Sequence, residues 1–280
     1  MGRNHLMQLQ IDLHGSRSLS RGLRSNAFTQ ASLCKRFLLL ASLGLLACGS
    51  ETEGSTGCAE QAVLGGSSSW PDPNTANLAE AIGYVWISDP MQKGSERLCS
   101  VTRTRQGKGI TAAHCIGTSS TWLAWIGFGP TAVAVPSKCA EIAEPLAAVT
   151  RHTPHPLLDI DVLDFEDAGG TQLQFATTAP DLGAAVLLAG YGVDESGTFG
   201  ERRFAESVVV AQDDDTITVS SNGQTGACVG DSGGPLLARD TAGAYSVVGV
   251  LQEGSLSCKG RDIYTSAASI TPWLEQAEAL

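Results

Sequence analysis

Gly230-Asp231-Ser232-Gly233-Gly234-Pro235 is the stretch on which the fold turns. A serine hydroxyl is a poor nucleophile unless a base lies within hydrogen-bond reach and donors are aimed at the developing oxyanion. Glycines on both sides suit such a group, because Gly230 and Gly233 let the backbone turn tightly and approach a substrate without a Cβ clash. A base stands upstream, in Thr111-Ala112-Ala113-His114-Cys115. Serine and histidine together point to nucleophilic catalysis more strongly than either stretch does alone.

Two folds present a serine in this setting. Gly230 to Gly234 satisfies G-x-S-x-G, the nucleophile elbow of α/β-hydrolases, whose histidine comes after the serine. No histidine follows Ser232. Histidine first and serine second, in Thr-Ala-Ala-His-Cys and Gly-Asp-Ser-Gly-Gly-Pro, resembles the trypsin/chymotrypsin-like serine peptidases, and the resemblance extends over residues 63–280. It implies an all-β domain of two six-stranded antiparallel β-barrels with a C-terminal helix and the catalytic residues in the cleft between the barrels. It also implies Ser232 as nucleophile, His114 as general base, and the backbone N–H groups of Gly230 and Ser232 as the oxyanion hole. The competing expectation is a binding module that kept the fold and lost the chemistry.

The third member of such a triad is a carboxylate that fixes the tautomer and orientation of the histidine. Two candidates lie in His155-Pro156-Leu157-Leu158-Asp159-Ile160-Asp161-Val162-Leu163-Asp164-Phe165. With Asp159 in the role, Ile160, Val162, Leu163 and Phe165 fall on the apolar positions of the following strand and only Asp161 is out of place. With Asp161, both Asp164 and Asp167 land where apolar residues belong. Asp159 is the preferred candidate and Asp161 the alternative. His152 and His155 read as surface or turn residues, since no acidic or thiol partners recur around them at metal-ligand spacing. Neither a metal nor an organic cofactor is expected.

The composition fits an all-β reading: 42% hydrophobic, 17% charged and 32 glycines describe a turn-rich chain with few long helical patterns. A net charge of −11 lacks the basic footprint that nucleic acid requires. Protein or peptide substrates and a monomeric enzyme are expected instead.

The chain before residue 63 reads as export apparatus. Lys35-Arg36 precede an apolar run from Phe37 to Ala47, too short for the ~20 residues a membrane span needs. The ending Leu45-Leu46-Ala47-Cys48 resembles a bacterial lipobox, in which Cys48 is lipidated. Residues 1–47 are therefore expected to be a lead and signal segment, and 48–62 a polar tether. The lead is long enough to suggest a translation start further downstream. An outer-membrane lipoprotein facing the periplasm or the cell surface is expected, with plain secretion as the alternative.

Setting aside Cys34 in the signal and Cys48 at its end leaves six cysteines, an even number that in an exported chain favours disulfides over a metal site. The resemblance implies Cys99–Cys115, closing the loop that carries the histidine, and Cys228–Cys258 beside the specificity pocket. Cys58 and Cys139 are left as a third pair. Val63-Leu64-Gly65-Gly66 resembles the Ile-Val-Gly-Gly that begins the mature chain in the family, which implies a cut before Val63 and an α-amino group that pairs with Asp231. Ala62 departs from the usual Arg or Lys, so an activating peptidase of other specificity is expected.

In the implied specificity pocket, Gly226 occupies the place where trypsins carry an aspartate. Counting back from Tyr264-Thr265 and Trp273 puts Asp262 on the opposite wall, with Gly254 also in the pocket. A carboxylate there would attract Lys or Arg before the scissile bond. A one-residue slip would bring in Arg261 and favour an acidic residue. Gln252 and Glu253 stand where Ser and an aromatic residue are usual, so the family's neighbouring subsites do not transfer. Thr271-Pro272-Trp273-Leu274-Glu275 reads as a helix start, with Thr271 as cap and Pro272 in the first turn.

Overall fold

A computed structural model describes residues 63–92, 94–132, 146–167, 169–197, 199–277 and 279. Strands β1 (Ile82–Ser88), β2 (Arg97–Arg105), β3 (Lys108–Thr111), β4 (Leu123–Gly127), β5 (Ala147–Pro154) and β6 (Asp161–Phe165) form a closed antiparallel barrel in the order β1-β2-β3-β6-β5-β4. A second closed barrel, ordered β10-β11-β12-β9-β8-β7, is built from β7 (Ala185–Gly190), β8 (Arg203–Gln212), β9 (Thr216–Ser220), β10 (Pro235–Arg239), β11 (Tyr245–Glu253) and β12 (Arg261–Ser266). The expected pair of six-stranded barrels is what the chain forms.

Strand pattern explains the closure. Side chains alternate across a strand, so a barrel strand needs one apolar face. In β9, Ile217 and Val219 are buried between hydroxyl residues, and in β8 Ala205, Ser207 and Val209 point inward while Glu206, Val208 and Val210 point out. Strand β2 differs, being buried from Leu98 to Thr104 on both faces. Cys99 and Val101 pack inside the first barrel with Val85, Ile126 and Leu163. Leu98 belongs instead to a cluster that joins the barrels, with Ile82 and Tyr84 from one side and Leu187, Tyr191 and Leu237 from the other. Burial of this apolar surface, worth about 25 cal/mol per Å², holds the cleft between the barrels in one shape.

Helix α2 corrects the expected C-terminal start. It runs Ala267–Gln276, with Ser266 rather than Thr271 at its N-cap, directly out of β12. Ala267, Ile270 and Leu274 are buried at helical spacing, and their burial holds a turn that cap and proline rules assign to a loop. The Thr271 hydroxyl donates to the Ala267 carbonyl at 2.8 Å instead of capping. Trp273, partly buried, packs its ring edge-on against His155 at 4.8 Å between centroids.

Candidate active site

His114 stands on a single helical turn, α1 (Ala113–Ile116), that follows β3. Four residues cannot hold a helix by themselves. The Cys99–Cys115 disulfide fastens this one to β2 and leaves the His114 side chain 47% exposed. Asp159 comes from the turn between β5 and β6, which His155 shapes. Its Nδ1 accepts from the Leu157 and Leu158 N–H groups at 3.2 and 2.9 Å, and its own N–H donates to Ile160 O at 2.8 Å. Burial holds the His155 imidazole below its ordinary value, which keeps Nδ1 free to accept.

The Asp159 carboxylate grips His114 twice. Oδ1 accepts the His114 N–H at 2.8 Å and Oδ2 meets ring Nδ1 at 2.6 Å. Burial pushes this carboxyl up, but the bonds from His114 outweigh it and hold Asp159 below the ordinary carboxylate value. Asp161 meets a different histidine. It is 1% exposed, its Oδ2 lies 2.8 Å from His152 Nδ1, and burial pushes it up to about 6. Trp122 packs edge-on against His152 at 5.0 Å. The sequence reading missed this buried pair, although a lone Asp among apolar strand positions signalled it.

The Ser232 loop is bound from both barrels. Ser100 N–H donates to Ser232 O at 2.8 Å, Gly233 N–H to Leu251 O at 2.9 Å, and Gly234 N–H to Asp231 O at 2.8 Å. Gly230 and Gly233 have φ of 99° and 80°, in the region that favours glycine. A Cβ at Gly233 would lie 2.7 Å from Ala112 N and clash with the Thr111 hydroxyl, so the absence of a side chain lets this loop pack against the segment leading to His114. The Cys228–Cys258 disulfide also forms. Ser232 lines a pocket of about 270 Å³ together with Ala227, Val229, Gly254, Ser255 and Leu256. Gln252 shares a neighbouring depression with Asp159 and Asp213 to Asp215.

Behind the pocket the structure brings Gly226, Asp262 and Gly254 together. Asp262 is 1% exposed, its Oδ2 accepting Ala227 N–H at 3.0 Å and its Oδ1 Ser255 N–H at 3.4 Å. Both glycines lie beside the carboxylate, and a Cβ on either would press first on backbone, 2.6 Å from Cys258 O at Gly226 and 3.0 Å from Ala227 O at Gly254. Burial raises its carboxyl above the ordinary value.

Val63 is buried among the residues of the second barrel, and Leu64 bridges Gly226, whose N–H donates to Leu64 O at 3.2 Å. Glu195, absent from the sequence reading, accepts the Gly65 N–H at 2.6 Å and fastens this segment. Asp231, 2% exposed, accepts Gly192 N–H at 2.7 Å and Cys228 N–H at 2.8 Å, and burial pushes it up to about 7. Cys48, Cys58, Ala62 and Cys139 lie outside the described residues, and with them the positions expected for the lipid, the third disulfide and the cleavage. Among the described residues no group of three or more His, Cys, Asp and Glu side chains is placed to hold a metal ion, and no helix is long and apolar enough to cross a membrane.

The trypsin family model matches residues 86–274. Transmembrane protease serine 9 of Rattus norvegicus is 25% identical over 242 residues, which cover 76% of this chain and 22% of that protein. The chain thus spans about a fifth of that relative's length. With two antiparallel six-stranded barrels and a family match over more than half of its length, this chain belongs to the trypsin family.

Proposed function

We propose that the chain is a serine endopeptidase that works through Ser232, His114 and Asp159. The observation that carries this reading is the double contact of Asp159 with the His114 N–H and ring Nδ1. Nδ1 is then engaged as a donor, and Nε2 is the nitrogen left to take a proton. In this reading Nε2 takes the Ser232 proton as Oγ attacks the substrate carbonyl carbon. The oxyanion is received by the Gly230 and Ser232 N–H groups. His114 next protonates the leaving amine, and water repeats the sequence on the acyl-enzyme. An ionised Asp159 stabilises the imidazolium formed in each half. Labelling by a fluorophosphonate, lost in Ser232→Ala, is the expected result. An unlabelled wild-type protein that begins at Val63 would favour the silent binding module.

Asp262, buried behind the pocket that Ser232 and Gly254 line, supports a preference for Lys or Arg before the scissile bond. A peptide-library cleavage profile tests it: basic residues should dominate for the wild type and recede in Asp262→Asn. Aromatic preference in the wild type would refute the assignment.

The same reading assigns Asp231 to activation. Burial without a cation is costly for a carboxylate, and a cut before Val63 would supply an ammonium to pair with it. An activating peptidase is then required. We also place the domain at 63–280 outside the cytoplasm, where its two disulfides persist. Residues 1–62 serve in this view as signal and tether, with a lipid on Cys48. Incorporation of labelled palmitate, lost in Cys48→Ser, checks the anchor.

A further inference from the structure

We propose that Ser100 is a positioning residue whose hydroxyl pins the Gly230 carbonyl and so helps hold the turn at Gly230 that presents its N–H to the oxyanion hole. Its consequence for rate rests on the peptidase reading above. Ser100 lies on β2, wholly buried, on the face turned toward the second barrel. Its Oγ donates to Gly230 O at 3.1 Å and accepts the Tyr191 N–H at 3.0 Å. A carbonyl can only accept and an amide can only donate, so the hydroxyl proton has one orientation.

The main chain of Ser100 completes the grip. Its N–H donates to Ser232 O at 2.8 Å, and its carbonyl accepts the Thr111 hydroxyl at 2.8 Å. One residue therefore holds the carbonyls on either side of Asp231 and links them to the end of β3, from which α1 and His114 emerge. Asp231 N–H donates to Cys228 O at 3.1 Å. The peptide plane between Gly230 and Asp231 is thus tied at its oxygen by Ser100 and at its nitrogen by Cys228. The Gly230 N–H belongs to the preceding plane, whose Val229 oxygen accepts the Val193 N–H at 2.8 Å, so the two tied planes together fix the turn at Gly230.

The tether matters because Gly230, at φ 99°, has no Cβ to restrain its rotation. An oxyanion donor is effective only when already aimed at the position the charge will occupy. Replacing Ser100 with Ala would leave the Gly230 carbonyl and the Tyr191 N–H without this partner in a site that water does not reach. Ser supplies both a donor and an acceptor in the smallest side chain that can do so.

Ser100→Ala and Ser100→Thr in the processed protein test this, read by amide exchange over residues 227–234, by steady-state kinetics and by affinity for a peptide aldehyde whose adduct places an oxyanion in the hole. In Ser100→Ala we expect exchange of that segment to rise ~10-fold and kcat to fall ~10-fold at little-changed KM, as for loss of a buried hydrogen bond. Aldehyde affinity should fall by the same factor. Ser100→Thr, which keeps the hydroxyl, should restore all three. Unchanged exchange in Ser100→Ala overturns the pin, and faster exchange with unchanged kcat overturns the positioning role. A rise in exchange across both barrels in both variants assigns Ser100 to folding alone and also overturns it. If the wild type takes no fluorophosphonate and cleaves nothing, the peptidase reading fails, while the exchange result still decides the pin.

Discussion

Asp159 accepts two hydrogen bonds from His114 and is held below the ordinary carboxylate value, whereas Asp161, two residues on, is buried against His152 and pushed up to about 6. Substitution should separate them. Asp159→Asn is expected to lower kcat/KM by ~10⁴-fold, because the histidine loses its orienting acceptor, with little change in thermal midpoint. Asp161→Asn should keep activity within a few-fold and alter the pH dependence of stability. A carboxyl with a raised folded-state value binds its proton more tightly folded than unfolded, so stability falls as pH rises from about 4 to about 6. Urea unfolding at several pH values should show a shallower fall in Asp161→Asn than in the wild type. Asp159 was the better candidate in the sequence because strand pattern counts apolar positions. The partner of Asp161 was invisible there, since nine residues separate it from His152 and only the β5–β6 pairing brings them together.

At the scale of elements, the one-turn helix α1 depends on what fastens it. Its disulfide joins residues 16 apart, and removing it through Cys99→Ala with Cys115→Ala should cost ~3 kcal/mol by the loop-closure relation. Urea unfolding measures this, and kcat/KM should fall further than the folded fraction because His114 rides on that turn. Helix α2 carries the opposite lesson. Thr-Pro is a sound local start signal, yet the buried stripe of Ala267, Ile270 and Leu274 moves the cap from Thr271 back to Ser266. Tertiary burial outweighs cap preference, which is worth only ~1 kcal/mol.

Across the whole molecule, the groups assigned to catalysis are divided between barrels, so their alignment is a property of the joint. Tyr191 from the second barrel places its hydroxyl 3.0 Å from Ile82 O and 2.6 Å from Gly129 O of the first. Tyr191→Phe should lower stability by ~1 kcal/mol for the lost hydrogen bond. It should also reduce kcat/KM under conditions where the protein remains folded, as a small shift of one barrel on the other moves His114 against Ser232; unfolding curves and kinetics on the same preparation check both. The fold class was legible in the chain by itself, as were the residues proposed here for the chemistry, because a nucleophile, a base and tight glycine turns demand particular residue types at short spacing. Tertiary structure alone decided that Asp159 meets His114, that Gly226 and Gly254 lie beside the buried Asp262 carboxylate, and that an unremarkable serine on β2 bonds the Gly230 and Ser232 carbonyls. Each joins residues distant in sequence: closing the first barrel brings Asp159 to His114, closing the second brings Asp262 beside the two glycines, and only the serine's contacts need one barrel packed against the other.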